Sequence, residues 1–97
     1  LSIRVMSWVW EYAEAEGSDM LVLLSLADHA GDDGGCYPSM SRLAKRARLS
    51  LRGAQTAVRS LEKKGLIVTY MNAGPNGCNR YRVITTPPTS ATPNTSP

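Results

Sequence analysis

The residues best suited to chemistry lie between positions 41 and 66, SRLAKRARLSLRGAQTAVRSLEKKGL. In helical phase, Ala54, Ala57, Val58 and Leu61 recur at i, i+3, i+4 and i+7 and share one face. Arg52, Gln55, Thr56, Arg59 and Lys63 fall on the other. The first face belongs in a core. The second lines up guanidinium, amide, hydroxyl and ammonium groups, which hydrogen-bond base edges in a DNA major groove and hold backbone phosphates. A shorter basic segment, Met40 to Ala47, precedes it across the turn Arg48-Leu49-Ser50. Two helices joined by such a turn predict a helix-turn-helix that binds double-stranded DNA.

Charge follows the same division. The 97 residues carry a formal net charge of +3. Residues 1–35 hold one basic side chain (Arg4) and seven acids, a net −6, whereas residues 36–97 hold ten basic side chains and Glu62, a net +9. A basic face turned to a polyanion, with an acidic pole behind it, accounts for the asymmetry. A solvated helix surface of no function is the plainer explanation, but the cations share the phase of the second helix.

Nothing in the composition points to an enzyme or a cofactor. There is no phosphate-binding loop of the P-loop type. Cys36, Cys78 and His29 are isolated and fall short of a zinc ligand set, so the two cysteines read as small structural thiols. A disulfide between them is open on sequence alone. No apolar run reaches the roughly 18 residues of a membrane span. Trp8-Val9-Trp10 is followed at once by Glu11, Glu14 and Glu16, unlike a secretory signal. The expected location is the cytoplasm, in association with the nucleoid.

These side chains need a scaffold, and the rest of the chain supplies one. Ile3 to Glu16 alternates like a strand at Met6, Trp8, Trp10 and Tyr12. Met6, Val9, Trp10 and Ala13 are also spaced like a helix, which the glutamates, alanines and Gly17 favour. Residues 1–17 are therefore expected as an amphipathic helical extension, covering the core or meeting a second subunit. Buried tryptophans would mark the first role and exposed ones the second, so a homodimer through this helix is one expectation. Ser18-Asp19 is expected to cap a second helix running to Ala30, apolar almost all round. Gly31 to Gly35 breaks it, and Cys36-Tyr37 reads as a short strand before Pro38. Ser39 caps Met40 to Ala47, with Met40, Leu43, Ala44 and Ala47 inward. Ser50 caps Leu51 to Lys64, and Gly65 ends that helix. Leu66 to Met71 and Arg80 to Thr85 switch to a period of two around the loop Asn72 to Gly77, which predicts a β-hairpin. Tyr81 and Val83 should face the core, with Arg80 and Arg82 outward. The fold class is mainly α with a small β-hairpin, a winged helix-turn-helix over residues 18–85. Residues 86–97, rich in Pro, Thr and Ser and without charge, are expected as an unstructured tail or linker.

The stretch from Leu21 to Ile67 resembles the winged-helix domains of bacterial phage and plasmid proteins, among them small regulators and the N-terminal modules of replication initiators. The resemblance rests on LLSLADHA, the turn DDGGCYPS, LAKRARLS and LEKKGLI. It implies DNA binding through the Ser50-capped helix, assisted by the hairpin wing. One departure stands out. Such domains often carry Arg-Thr-Val where this chain has Arg52-Gly53-Ala54, so a phosphate-binding hydroxyl is missing at position 53.

The expected interface is Ser39, Lys45, Arg48, Ser50, Arg52, Gln55, Thr56, Arg59, Lys63, Asn76, Asn79 and Arg80. The amide ends of the Ser39- and Ser50-capped helices face phosphates, and Lys45, Arg48 and Lys63 position the backbone. Arg52 and Gln55 match guanine and adenine edges, and Thr56 matches a thymine methyl or a phosphate. Arg59 serves either role. Asn76, Asn79 and Arg80 reach a flanking phosphate or the minor groove. Two further functions remain open: an origin-binding module of a replication initiator, and a winged helix that contacts protein and never DNA.

Overall fold

A computed structural model describes residues 1–86. The expected tail, apart from Thr86, lies outside these residues. The elements in order are α1 (Ile3–Tyr12), α2 (Gly17–His29), β1 (Gly35–Cys36), α3 (Met40–Ala47), α4 (Leu51–Lys63), β2 (Ile67–Tyr70), a short 3-10 turn (Pro75–Gly77) and β3 (Arg80–Val83).

Ser2 starts α1: its hydroxyl accepts from the Val5 amide at 3.2 Å and donates to Asp32 at 2.7 Å. The helix ends at Tyr12, not near Glu16, because Ala13 is already extended. Its inward positions also differ from the expected set. Val5 and Val9, four residues apart, are fully buried, while Trp10 is 63% exposed. Trp8 is half-buried and its indole N–H donates to the Thr86 carbonyl at 2.5 Å.

The expected Ser18-Asp19 cap is replaced too. Glu16 occupies the cap position of α2 without a side-chain hydrogen bond, and Ser18 and Asp19 lie inside the first turn. Asp19 is drawn to another element: it accepts from the Ser60 hydroxyl at 2.5 Å, in the C-terminal part of α4, and from the ammonium of Lys64, the residue that caps that helix, at 2.9 Å. A tertiary contact has displaced the local one. As expected for a central helix, α2 buries Val22, Leu23, Ser25, Leu26 and Ala27 around most of its circumference.

The expected hairpin is part of a larger sheet. Its order is β1-β3-β2, antiparallel throughout, with Cys36 opposite Tyr81 and Thr69 opposite Tyr81 on the other side. The first strand falls at Gly35–Cys36, one residue before the expected Cys36–Tyr37. Gly34 makes this possible. Its φ is +86°, and a Cβ there would lie 2.4 Å from the Val83 carbonyl oxygen, so only glycine lets the turn approach β3. Tyr81 and Val83 face the core as expected, joining Val5, Val9, Leu23, Leu26, Leu43, Leu61 and Ile67.

Candidate nucleic-acid interface

The Ser39 hydroxyl accepts from the Arg42 amide at 3.1 Å, and the Ser50 hydroxyl accepts from the Gly53 amide at 3.0 Å. Both caps satisfy a helix-terminal donor that has no partner inside its helix. Between them the chain reverses at Arg48, which adopts the left-handed conformation at φ 61° and ψ 40°. The Leu49 amide then donates to the Ala44 carbonyl at 2.9 Å, and the Leu49 side chain packs against the core. This turn sets the direction of α4.

On α4, Ala54, Ala57, Val58 and Leu61 are buried and Arg52, Thr56, Arg59 and Lys63 are exposed. At 100° per residue these four outward positions fall within about 60°, diametrically opposite the buried set. Gln55 lies on the flank of this stripe and is half-buried. Arg52, Gly53 and Thr56 share a shallow groove with Ser50 and with Ser18 and Asp19 of α2. Further along, Arg59 and Lys63 border a second depression with Ser60 and Glu62. Glu62, the single acid of the basic half, accepts from the Thr69 hydroxyl of β2.

Ion pairing separates the cations into two groups. Arg46 pairs with Asp28, Lys64 with Asp19 and Arg80 with Asp33. Among the described residues, Lys45, Arg48, Arg52, Arg59 and Lys63 are in no ion pair. Arg4, Arg42 and Arg82 are in none either, so of these eight cations six lie on α3, the turn and α4, while Arg4 and Arg82 donate to the backbone carbonyls of Asp32 and Asp33. Burial tends to raise the Asp19 carboxyl, but the Ser60 hydroxyl and the Lys64 ammonium outweigh it and hold the group below its ordinary range.

The wing is fastened from inside. The Asn79 side-chain oxygen accepts from the Asn72 amide at 3.1 Å, closing the loop. Arg80 spans the sheet, with its guanidinium 5.1 Å from the centre of the Tyr70 ring and 3.5 Å from the Asp33 carboxylate. The Gly35 amide, and then Arg80 and Arg82 nearby, lower the Asp33 carboxyl in turn. Asn76 is exposed in the loop with φ 57°. The structure therefore gathers Ser50, Arg52, Thr56, Arg59 and Lys63 along α4 and leaves Lys45 and Arg48 open beside them in sequence. Asn79 and Arg80 make contacts within the protein. Gly53 lies half-buried on the flank of α4: a Cβ there would lie 3.2 Å from the Ser50 hydroxyl and 3.6 Å from Leu49, so the small residue fits the capped turn.

Two polar contacts escaped the sequence reading. Arg42 donates to His29 Nε2 at 3.0 Å, while His29 Nδ1 lies 2.8 Å from the Ser25 carbonyl, which fixes the proton on Nδ1 and ties α2 to α3. The Asp19–Ser60–Lys64 group had one visible trace, the four-residue spacing of Ser60 and Lys64. Cys36 is buried, which pushes its thiol up to about 12, whereas Cys78 is half-buried at the base of the wing.

Residues 5–67, from α1 to the first residue of β2, match the helix-turn-helix domain family. The chain belongs to that family. With four helices and a three-stranded sheet that packs against α2 and α4, this helix-turn-helix is mainly α and winged. Helix-turn-helix domains bind DNA by laying their second helix in the major groove, and α4 is the second helix of the motif in this chain. Protein YmfN of Escherichia coli (strain K12) is 29% identical over 68 residues, covering 67% of this chain and 15% of YmfN. The helix-turn-helix chain thus spans a small part of that relative's length. No solved structure matches it. Among the described residues, no helix is long and apolar enough to cross a membrane.

Proposed function

We propose that this domain binds double-stranded DNA in a sequence-specific manner, as a small transcriptional regulator of phage, plasmid or bacterial origin. The observation that carries this reading is the outward stripe Arg52, Thr56, Arg59 and Lys63, which opposes the buried face of α4 and is free of ion pairs among the described residues. An α-helix fits the major groove, where arginine pairs bidentately with guanine and each good pair contributes about 1–3 kcal/mol of discrimination. Arg52 and Gln55 read bases from the first turns. Thr56 and Arg59 contact bases or phosphates one turn on. Lys45, Arg48 and Lys63, with the amide ends at Ser39 and Ser50, position the backbone. Asn76 reaches the flanking duplex, while Asn79 and Arg80 act by shaping the wing that presents it.

Selection of bound fragments from random duplex DNA, followed by binding measurements over a range of salt, tests the reading. A recovered motif bound at least about 10³-fold more tightly than random duplex supports it. Equal affinity for all duplexes, falling steeply with salt, leaves only non-specific binding, and no binding at low salt removes the DNA role.

A second reading is a DNA-targeting module of a larger protein, such as the origin-binding part of a replication initiator. The similarity to a segment making up 15% of YmfN favours it. Selection from origin-containing plasmid fragments distinguishes the two, since a replication module recovers repeats within an origin and a regulator recovers promoter sites.

A further inference from the structure

Helix α1 is apolar on two opposite sides. Val5 and Val9 are fully buried, and across the helix Ile3 and Trp10 are 77% and 63% exposed, with Ser7 between them. These three fall within about 60° of arc at 100° per residue. An isoleucine and an indole on one outward stripe form the kind of surface that associates, and tryptophan is enriched at the centres of interfaces.

The charges along the stripe say what it fits. Arg4 sits near the N-terminal end and Glu11 near the C-terminal end, with Glu14 and Glu16 following, all of them exposed. Two such helices side by side in parallel would bring the glutamates together. Turned antiparallel about a two-fold axis at Ser7, they place each Arg4 against Glu11 of the second copy. Trp10 then covers Ile3 and Arg4 of the second copy, and the small Ser7 meets its equivalent at the axis, where helices must approach within about 8–10 Å. Arg4 is held for this role. Its guanidinium donates to the Asp32 carbonyl and, at 3.3 Å, to the Thr85 hydroxyl, which leaves further N–H donors for a carboxylate.

We propose that α1 joins two copies of this chain into an antiparallel, two-fold dimer through Ile3, Ser7 and Trp10, with Arg4–Glu11 pairs at both ends. The surface is self-complementary, as a two-fold interface requires. The inference extends the DNA-binding reading without resting on it, and predicts that a specific site consists of two half-sites related by a two-fold axis.

Sedimentation equilibrium of the full chain over ~1–200 µM tests the dimer. The expected mass rises toward twice 10.5 kDa. Ser7→Arg puts two like charges at the axis from an exposed position and should leave a monomer whose circular dichroism spectrum matches wild type. Arg4→Glu and Glu11→Arg should each weaken association about tenfold, and the double exchange should restore it. Because Arg4→Glu also loses the Asp32 and Thr85 contacts, its fold is checked by circular dichroism, and Ser7→Arg carries the test if that variant unfolds. A wild-type mass of 10.5 kDa at every concentration overturns the proposal, as does a Ser7→Arg variant that associates like wild type. A dimer that binds no duplex would remove the DNA role alone, and a monomer that binds specific duplex would remove the dimer alone.

Discussion

Arg80 lies with its guanidinium 5.1 Å from the centre of the Tyr70 ring, bridging two paired strands at the base of the wing. The same group reaches Asp33, just before β1, so one side chain links both hairpin strands to the turn that leads into β1. A cation over an aromatic face at a partly exposed site contributes about 0.5–1 kcal/mol. Tyr70→Leu keeps an apolar side chain but removes the ring. It should lower the melting temperature by about 2–8 °C and leave the α4 surface intact. A melt that matches wild type would show that the ring under Arg80 adds nothing to stability.

Asp19 links stability to acidity. Its carboxyl is lowered relative to the ordinary 3.8, so the folded state holds a proton less readily than the unfolded one. The stabilisation is fully present above 3.8 and fades as the pH falls through the folded value. Asp33 is shifted in the same direction and adds to the loss. Asp19→Asn should reduce stability by about 1 kcal/mol at neutral pH and flatten the dependence on the acid side. Urea titrations of both proteins between neutral and acid pH check the slope.

Arg52 and Lys45 should respond differently to DNA. Arg52→Ala is expected to weaken a selected site more than random duplex, by about 1–3 kcal/mol. Lys45→Ala is expected to weaken both alike and to reduce the salt slope by about one. Identical behaviour of the two variants on both duplexes would undo the division between base reading and backbone positioning.

The Ser50 hydroxyl supports the first turn of α4 by accepting from the Gly53 amide. Ser50→Ala should cost about 1 kcal/mol, visible as a lower urea midpoint with an unchanged denaturant slope. Ser50→Asp should restore the cap, yet its added negative charge at the proposed phosphate contact should weaken duplex binding. Recovery of both stability and affinity would argue against a phosphate there.

The segments legible in the sequence were those decided by neighbours along the chain. Ser39 and Ser50 cap α3 and α4 because the hydroxyl and the amide it satisfies are three residues apart. The inward set Ala54, Ala57, Val58 and Leu61 follows from one helical period. Where distant residues competed, local signals lost. Asp19 gave up the cap of α2 to meet Ser60 and Lys64, and Gly35 paired with Arg82, 47 positions away, to make a third strand. Trp10 has the spacing of a core residue, but Val5 and Val9 occupy the inward face, and no local pattern ranked valine above tryptophan. The outward stripe of α4 was readable residue by residue. The confinement of Asn79 and Arg80 within the wing depends on Asn72, Tyr70 and Asp33 and needed three dimensions.

The unequal surroundings of the two thiols give the domain a built-in reporter position. Cys36 is shut in and resists ionising, so an alkylating dye added near neutral pH should attach at Cys78 and spare it. A fluorophore placed there, beside the loop that the wing would bring to a flanking duplex, would make docking observable with the native sequence unaltered.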